Sequence, residues 1–516
     1  MKTKQLFFCS LTGLALLTAS CSSNDEALNG GDGTTSEGKT YAQIAISVAN
    51  SATTRTTTPG NTGDEAYGDD AEYTVNDLTV VLANENDIAM QVITPTLKTA
   101  TNTDDDDKLV RVTEPFKCTP GTYKVYVLAN YKNSQDALTP IIKGSTDMKA
   151  EFGITKIAKL STMDEFFMTN VSAPKGQEIK EVAIEKEVDD AGKVMTDGKT
   201  NLNLLTVDVE RAVSKVTFDN TDNQSFNVMV GDNKIATATL EGASLINLNK
   251  KMYLVKEGRT ATNKPAGVTD KWPYPMDPNY NQTSIDAAYC ETNFEQRSAT
   301  VFPAPSTATF YCPENTMEAS AQLNGQTTGV VYKVKYAPVD GYYTELAAKN
   351  GTDSYSKMFE KVLALTKKEA DITPTIFTTA DKADGTFYSY NGYVFKSKAA
   401  ARLYKAIATT VGDAADVNAA FKTNANDVDI QTYAEGYCYY TAWIKHNPGG
   451  TTMQQDKYGV VRNFWYELKV NSIKKLGYSK PTYEKPTDPD DKAEASIQVQ
   501  VKIKKWRLVK QNVDLE

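Results

Sequence analysis

The end of this chain restricts its possible folds more than any other feature. Ala495, Ile497, Val499, Val501 and Ile503 alternate with Ser496, Gln498, Gln500, Lys502 and Lys504, and Trp506, Leu508, Val513 and Leu515 follow. A period of two is the pattern of a half-buried β-strand. The strand hangs on Gly477 to Asp491 (GYSKPTYEKPTDPDD), whose Pro, Asp and Lys content predicts an extended, solvated linker. Burial of each large apolar side chain is worth roughly 1.5–3 kcal/mol before ordering costs, so the strand needs a sheet to join. That sheet belongs either to its own domain or to another molecule.

A second strand of the same type stands near the other end. Tyr41 to Val48 places Ala42, Ile44, Ile46 and Val48 on one face. Between the two, most of the folded part reads as strands. These are Val75 to Ala83, Thr122 to Asn130 after the Pro120-Gly121 turn, and two runs within Leu202 to Phe218. Phe226 to Val230, Ala236 to Leu248, Val330 to Tyr336, Tyr437 to Lys445 and Tyr458 to Ile473 follow. Lys398 to Val411 and Ala414 to Thr423 read as short helices, Met148 to Asp164 as partly helical, and Gly258 to Glu295 as a loop-rich insert. The fold class is therefore mainly β. The length of 516 residues predicts two globular domains with extensions, and a composition shift near Thr221 to Ser225 places a boundary there. The expected organisation is a signal over 1–20, a flexible tether over 21–40 and domains at 41–224 and 225–476. A linker over 477–492 and the terminal strand at 493–516 complete it.

The first residues form a targeting segment. Lys2 and Lys4 precede an apolar run from Leu6 to Leu17, too short to span a bilayer, and Thr18, Ala19 and Ser20 lead to Cys21. Small residues before a cysteine fit lipoprotein processing, with Cys21 acylated; an ordinary secretory signal is the alternative. Cys9 leaves with the signal. Cys118, Cys290, Cys312 and Cys438 remain, either as buried thiols or as bridges, with no CxxC pair among them.

The composition argues against several kinds of chemistry. One histidine in the whole chain excludes most His-based catalytic and zinc sites. A net charge of −9 provides no basic field for nucleic acid. No Walker loop, GxSxG or HExxH occurs, and Asp104 to Asp107 lacks the order of a calcium loop. Asp104 to Asp107, Asp488, Asp490 and Asp491 read as solvated, and His446 as a local hydrogen-bonding group beside the Asn447-Pro448-Gly449-Gly450 turn. Tyr437, Tyr439, Tyr440 and Trp443 suit a sugar ring but at strand spacing read as sheet and core. No catalytic residue, metal or cofactor is expected. Arg55, before Thr56, stands in the small, polar run Asn50 to Gly60 just after the first strand, a composition that favours proteolysis.

Several stretches together carry a family resemblance. They are the lipoprotein signal followed by a short strand and Arg55, and Val209 to Val216 (VERAVSKV). Tyr439 to Trp443, Tyr458 to Tyr466 (YGVVRNFWY) and Ile473 to Gly477 follow, and then the terminal strand with Trp506 and Val513-Asp514-Leu515. The chain resembles the fimbrillins of the Bacteroidales type V pilus, most closely the major subunit of the short (minor, Mfa-type) fimbriae. Ser22 to Glu26 after Cys21 similarly resembles the surface-export signal of Bacteroidales lipoproteins. The resemblance implies two β-sandwich, transthyretin-like domains and cleavage after Arg55 by an arginine-specific protease. Loss of the strand bearing Ile44, Ile46 and Val48 would open a groove, which a neighbouring copy fills with Ile497, Val499, Val501, Ile503 and Trp506. It also implies an outer-membrane lipoprotein precursor and then a surface fimbrium that supports adhesion. The partners would be anchor and tip subunits and a host or bacterial surface ligand. Alternatives are an anchor or tip subunit, or a lipid-tethered glycan- or protein-binding lipoprotein, for which Tyr274, Tyr280 and Tyr289 would supply ligand-facing rings.

Overall fold

The computed structural model describes residues 40–48, 65–98, 109–171, 179, 181–185, 203–220, 224–257, 274–282, 284–296, 301–339, 357, 361, 384–423, 427–481, 486–491 and 497–507. Cys21, Arg55, Thr56 and Asp104 to Asp107 lie outside them. Among the described residues no helix is long and apolar enough to cross a membrane.

The architecture is mainly β. In the first part of the chain, β1 is Thr40–Val48, β2 Glu65–Tyr67, β3 Leu78–Ala83, β4 Ala89–Ile93 and β5 Leu109–Val112. Then come β6 (Phe116–Cys118), β7 (Gly121–Ala129), β8 (Met168–Asn170), β9 (Asn203–Arg211) and β10 (Val213–Phe218). The second part adds β11 (Ser225–Val230), β12 (Asn233–Ile246), β13 (Thr309–Pro313) and β14 (Gly329–Pro338). The last strands are β15 (Phe387–Tyr390), β16 (Tyr393–Phe395), β17 (Gln431–Tyr433), β18 (Tyr437–Trp443), β19 (Phe464–Ile473) and β20 (Ile497–Arg507).

The first sheet runs β4-β3-β7-β8-β9-β1-β5, with β6 also pairing β1. Its central strands are apolar on both faces, as β3 (LTVVLA, buried throughout) illustrates, because loops and the turn around Ile157–Leu160 cover what a solvated sheet would expose. Two further sheets, β2-β20-β19-β10-β13 and β11-β12-β14-β18, share one core. Phe218 of β10 meets Tyr332 of β14 edge-on at 6.0 Å between ring centroids, so these two sheets pack face to face as a sandwich. The chain changes sheets at Ala212: Arg211 still pairs with Met168, while Val213 already pairs with Pro313.

Between β14 and β18 the chain builds a satellite. The sheet β16-β15-β17 packs on helices α1 (Lys398–Thr409) and α2 (Ala414–Lys422), around Phe395, Leu403, Ala406, Val417 and Phe421. Ser397 and Asp413 start the two helices by accepting hydrogen bonds from Ala400 N–H and Asp416 N–H. Met148 to Asp164 holds two two-residue strands and a 3₁₀ turn, so its helical part is 3₁₀ and not α.

Candidate functional site

β1 is an interior strand. It runs parallel to β9, from Ala42 beside Asn203 to Val48 beside Val209. On its other edge it lies antiparallel to β5 and β6, with Ala45 beside Val112 and Tyr41 beside Lys117. Ala42, Ile44, Ile46 and Val48 are each 0% exposed. The Ile44 amide donates to Thr113 Oγ1 (3.1 Å) and the Gln43 side-chain amide to the Thr113 carbonyl (2.7 Å). Were β1 taken away, β9 and β5 would face each other across a strand-wide slot with unpaired backbone and apolar walls, the type of edge that captures another strand.

β20 takes the same alternation into a different setting. It lies antiparallel along the whole of β19, from Ile497 beside Ile473 to Lys505 beside Phe464, so it folds back on its own domain. Among the described residues its other edge is paired only at the tip, where Glu65, Ala66 and Tyr67 of β2 run parallel to Lys505, Trp506 and Arg507. Ile497 and Val501 are buried and Val499 is half-buried.

The expectation of a solvated linker does not hold for its described part. Tyr478 forms a two-way backbone bridge with Tyr439 (2.8 and 2.9 Å). Further on, the Pro486 and Asp488 carbonyls accept from Gly325 N–H and Asn324 N–H, both at 2.9 Å, and Asp490 N–H donates to the Gln322 carbonyl at 3.2 Å. Asp490, expected in solvent, is fully buried and accepts from Thr327 Oγ1 at 2.5 Å. Burial drives its carboxyl well above the usual carboxylate range. Asp491 accepts from Met453 N–H and Tyr458 Oη and pairs with Lys457 Nζ at 2.5 Å. Burial opposes its ionisation, but the Lys457 and Tyr458 contacts prevail and its carboxyl sits low. Gly325 makes the close approach possible, because a Cβ there would stand 2.6 Å from Cys290 Sγ and 2.7 Å from Pro486 Cβ. Its described residues form a strap hydrogen-bonded to the domain, not a free tether.

Charged groups buried at the crossing hold the two halves together. Glu72 accepts from Lys215 Nζ (2.6 Å) and Tyr311 Oη (2.5 Å). Glu210 of β9 pairs with Lys256 at 2.8 Å, and burial raises its carboxyl against the pull of that lysine. Arg211 donates to Asn463 Oδ1 (3.0 Å), its guanidinium pushed down to about 10 by burial. Arg462 donates to the Tyr253 and Leu254 carbonyls and faces Glu314. Removing one member of such a pair strands the other in apolar surroundings, at a cost of about 3–5 kcal/mol. The run VERAVSK carried a sign of this: three charges set among strand-forming apolar residues have no solvated face to occupy.

The remaining candidates serve the core. His446 is buried, its Nδ1 2.7 Å from Tyr466 Oη, and burial lowers its pKa to about 3, so it stays neutral. Tyr274 and Tyr280 are buried too, and Tyr274 donates to the Tyr458 carbonyl at 2.6 Å. These rings do not face a ligand, and Tyr289 is half-buried with its hydroxyl on Asn279. Tyr440 and Trp443 are core, while Tyr437 lies under Lys333, whose Nζ is 3.7 Å from the ring centroid. Cys118, Cys290, Cys312 and Cys438 are buried free thiols. Among the described residues no group of three or more His, Cys, Asp or Glu side chains is placed to hold a metal ion.

The family described as Major fimbrial subunit protein (FimA) matches residues 42–254, and that described as Major fimbrial subunit protein type IV, Fimbrillin, C-terminal, matches residues 431–512. No curated protein matches the sequence. Among solved structures, the chain is similar to a Parabacteroides distasonis protein assigned to cell adhesion (14% identity, 91% of this chain and 100% of that one, TM-score 0.39). It is also similar to a fimbrilin from Porphyromonas gingivalis W83 (11% identity, 91% and 99%, TM-score 0.35). A third is the tip fimbrial protein Mfa3 of Porphyromonas gingivalis with C-terminal truncation (10% identity, 90% and 100%, TM-score 0.30).

Proposed function

Because this chain belongs to the Bacteroidales fimbrillins, fimbrial subunits of the cell surface, we propose that it is a stalk subunit that polymerises by strand exchange after proteolysis. It is exported as a lipoprotein acylated on Cys21. An arginine-specific protease adds water across the Arg55–Thr56 peptide bond, which leaves a carboxylate on Arg55 and a new ammonium on Thr56. β1 then leaves with its lipid anchor, and the slot between β9 and β5 accepts β20 of a neighbouring copy. Ile497, Val499, Val501 and Ile503 replace Ile44, Ile46 and Val48, with Trp506 beyond them. Such a contact is head-to-tail and does not close on itself, so repetition gives a filament. Both domains are read as transthyretin-like, and the further partners are anchor and tip subunits and a surface ligand for adhesion.

The observation that carries this reading is the unequal seating of two strands with one pattern. β1 fills the middle of a sheet, while β20 is held along one edge and at a tip. With β1 in place the acceptor is closed, so premature assembly is blocked until the anchor is cut. The test is to treat precursor lacking the signal with an arginine-specific protease and follow size by electron microscopy and non-boiled gel. Filaments or a ladder are expected, and both should vanish on deletion of residues 493–516. A clean monomer after verified cleavage at Arg55 would reject the mechanism in favour of a tethered or accessory subunit. Mass analysis of surface protein separates these: an N-terminus at Thr56 marks a polymerising subunit, at Cys21 an anchored one.

A further inference from the structure

The turn that receives the strap gathers buried oxygens for which the protein supplies no hydrogen. Leu323 to Thr327 closes on itself, the Leu323 carbonyl accepting from Gln326 N–H (2.9 Å) and Thr327 N–H (3.1 Å). Asn247, one residue past β12, donates its side-chain nitrogen to the Asn324 and Thr327 carbonyls, both at 2.8 Å. Asn315, two residues past β13, donates its own to the Gln326 carbonyl (2.7 Å) and to Thr328 Oγ1 (2.9 Å). The Gln326 side-chain nitrogen donates to the Asn279 carbonyl at 3.3 Å. A backbone carbonyl only accepts, so these partners fix which end of each carboxamide is the nitrogen.

The oxygen ends are left over. Among the described residues nothing donates to Asn247 Oδ1, Asn315 Oδ1 or Gln326 Oε1, and all three residues are 0% exposed. Asp490 adds a fourth such atom. Its Oδ2 accepts from Thr327 Oγ1 at 2.5 Å, while its Oδ1 is buried with no donor among the described residues. The two ends of a carboxamide or carboxylate stand about 2.3 Å apart. Asn315 Oδ1 therefore lies within about 5 Å of the Gln326 carbonyl, Asn247 Oδ1 within about 5 Å of the Thr327 carbonyl, and Asp490 Oδ1 within about 5 Å of Thr327 Oγ1. All three surround one pair of consecutive residues, and Gln326 supplies the fourth oxygen from within that pair.

Four buried oxygens beside nitrogens that are already spent form the donor set of a hard cation. Asp490 favours an ion over water. A carboxylate sealed from solvent needs an opposite charge, and Lys457 nearby is taken by Asp491 at 2.5 Å. We propose that this turn is a calcium site, with Asn247, Asn315, Gln326 and Asp490 as its protein ligands, and that the ion fastens the strap to the domain. Calcium accepts carboxylate and amide oxygens in flexible geometry and fills the rest of its shell with water, whereas magnesium demands a stricter octahedron. One carboxylate among neutral oxygens places the affinity at the weak end, about 10⁻⁴–10⁻³ M, the range of extracellular modules. The ligands come from four distant stretches, so the ion ties the strap to the ends of β12 and β13.

Calcium alone is the probe, on precursor lacking the signal and freed of metal with a chelator. At about 10 mM calcium and matched ionic strength, the thermal midpoint should rise by about 3 °C over the chelated protein, and by less in magnesium. Hydrogen exchange read by mass spectrometry locates the effect: peptides covering 322–328 and 486–491 should slow about tenfold in calcium, while β1 is unchanged. Asp490→Asn keeps the shape and removes the charge. It should abolish both responses and melt in chelator no lower than wild type. Absence of calcium-dependent slowing at 322–328 and 486–491 overturns the site even where the midpoint rises, because surface carboxylates then account for the rise. A calcium response that survives Asp490→Asn also overturns it. If that variant does not fold, the wild-type exchange pattern alone decides.

Discussion

β1 and β20 are built from the same alternation and differ in their neighbours. β1 has a strand on each side along its length and buries four apolar side chains completely. Among the described residues, β20 has one full neighbour, the three-residue β2 on the other side at its tip, and a half-buried Val499 between its buried Ile497 and Val501. The difference shows that pattern decides which face a strand buries, while position in the sheet decides whether it can leave. In the proposed exchange the interior strand must be cut loose before it can leave, whereas a strand near an edge could peel.

The comparison can be attacked where it should be strongest. Ile46→Ala deletes buried methyl and methylene groups in the middle of a closed sheet and should destabilise the first domain by about 3 kcal/mol. Urea unfolding, with the midpoint lowered at constant slope, measures it. A loss as small as that of an exposed residue would mean β1 is not locked in place.

A second probe concerns the half that holds β20. Burial raises the Asp277 carboxyl to about 8, against the backbone N–H donors of Thr316 and Asn279 that favour its charged form. Its folded-state pKa exceeds the unfolded value near 4, so between roughly pH 4 and 8 the folded protein binds more protons. Its stabilising contribution is complete below pH 4 and is lost as pH rises through 8, with a slope of at most about 1.4 kcal/mol per pH unit. Thermal midpoints of the precursor should fall between pH 5 and 8, and Asp277→Asn should flatten that fall. An unchanged slope in the variant would remove Asp277 as its cause.

The smallest effect belongs to β20. Val499→Ala trims a half-buried side chain on the peelable strand and should cost less than about 1 kcal/mol in the same urea titration. A loss equal to that of Ile46→Ala would erase the distinction between the two strands.

Much of this was legible in the sequence because it is local. The faces of β1 and β20, the helices after Ser397 and Asp413 and the two successive runs β9 and β10 follow from period and capping chemistry. What could not be read depends on partners far along the chain. Glu72 and Lys215 meet across 143 residues, and Thr327 and Asp490 across 163. Pro and Asp in the strap have the composition of a solvated tether, and only the loop around Asn324 makes Asp490 a buried group. Tyr274 and Tyr280, in a segment rich in Pro and Asn, similarly became core because Tyr458 and Gln455 come to meet them. The three charges in VERAVSK were the exception, a local sign of distant partners.

The strap also determines how such a subunit would carry load. In a filament joined through the C-terminal segment, as proposed, tension would reach each subunit beside the pinned Asp490 and Asp491. Force then passes into the hydrogen bonds with Gln322, Asn324, Gly325 and Thr327 and the Lys457–Asp491 pair. These contacts lie on two separate loops and would share the strain, so in the proposed exchange the edge of β19 would bear none of it.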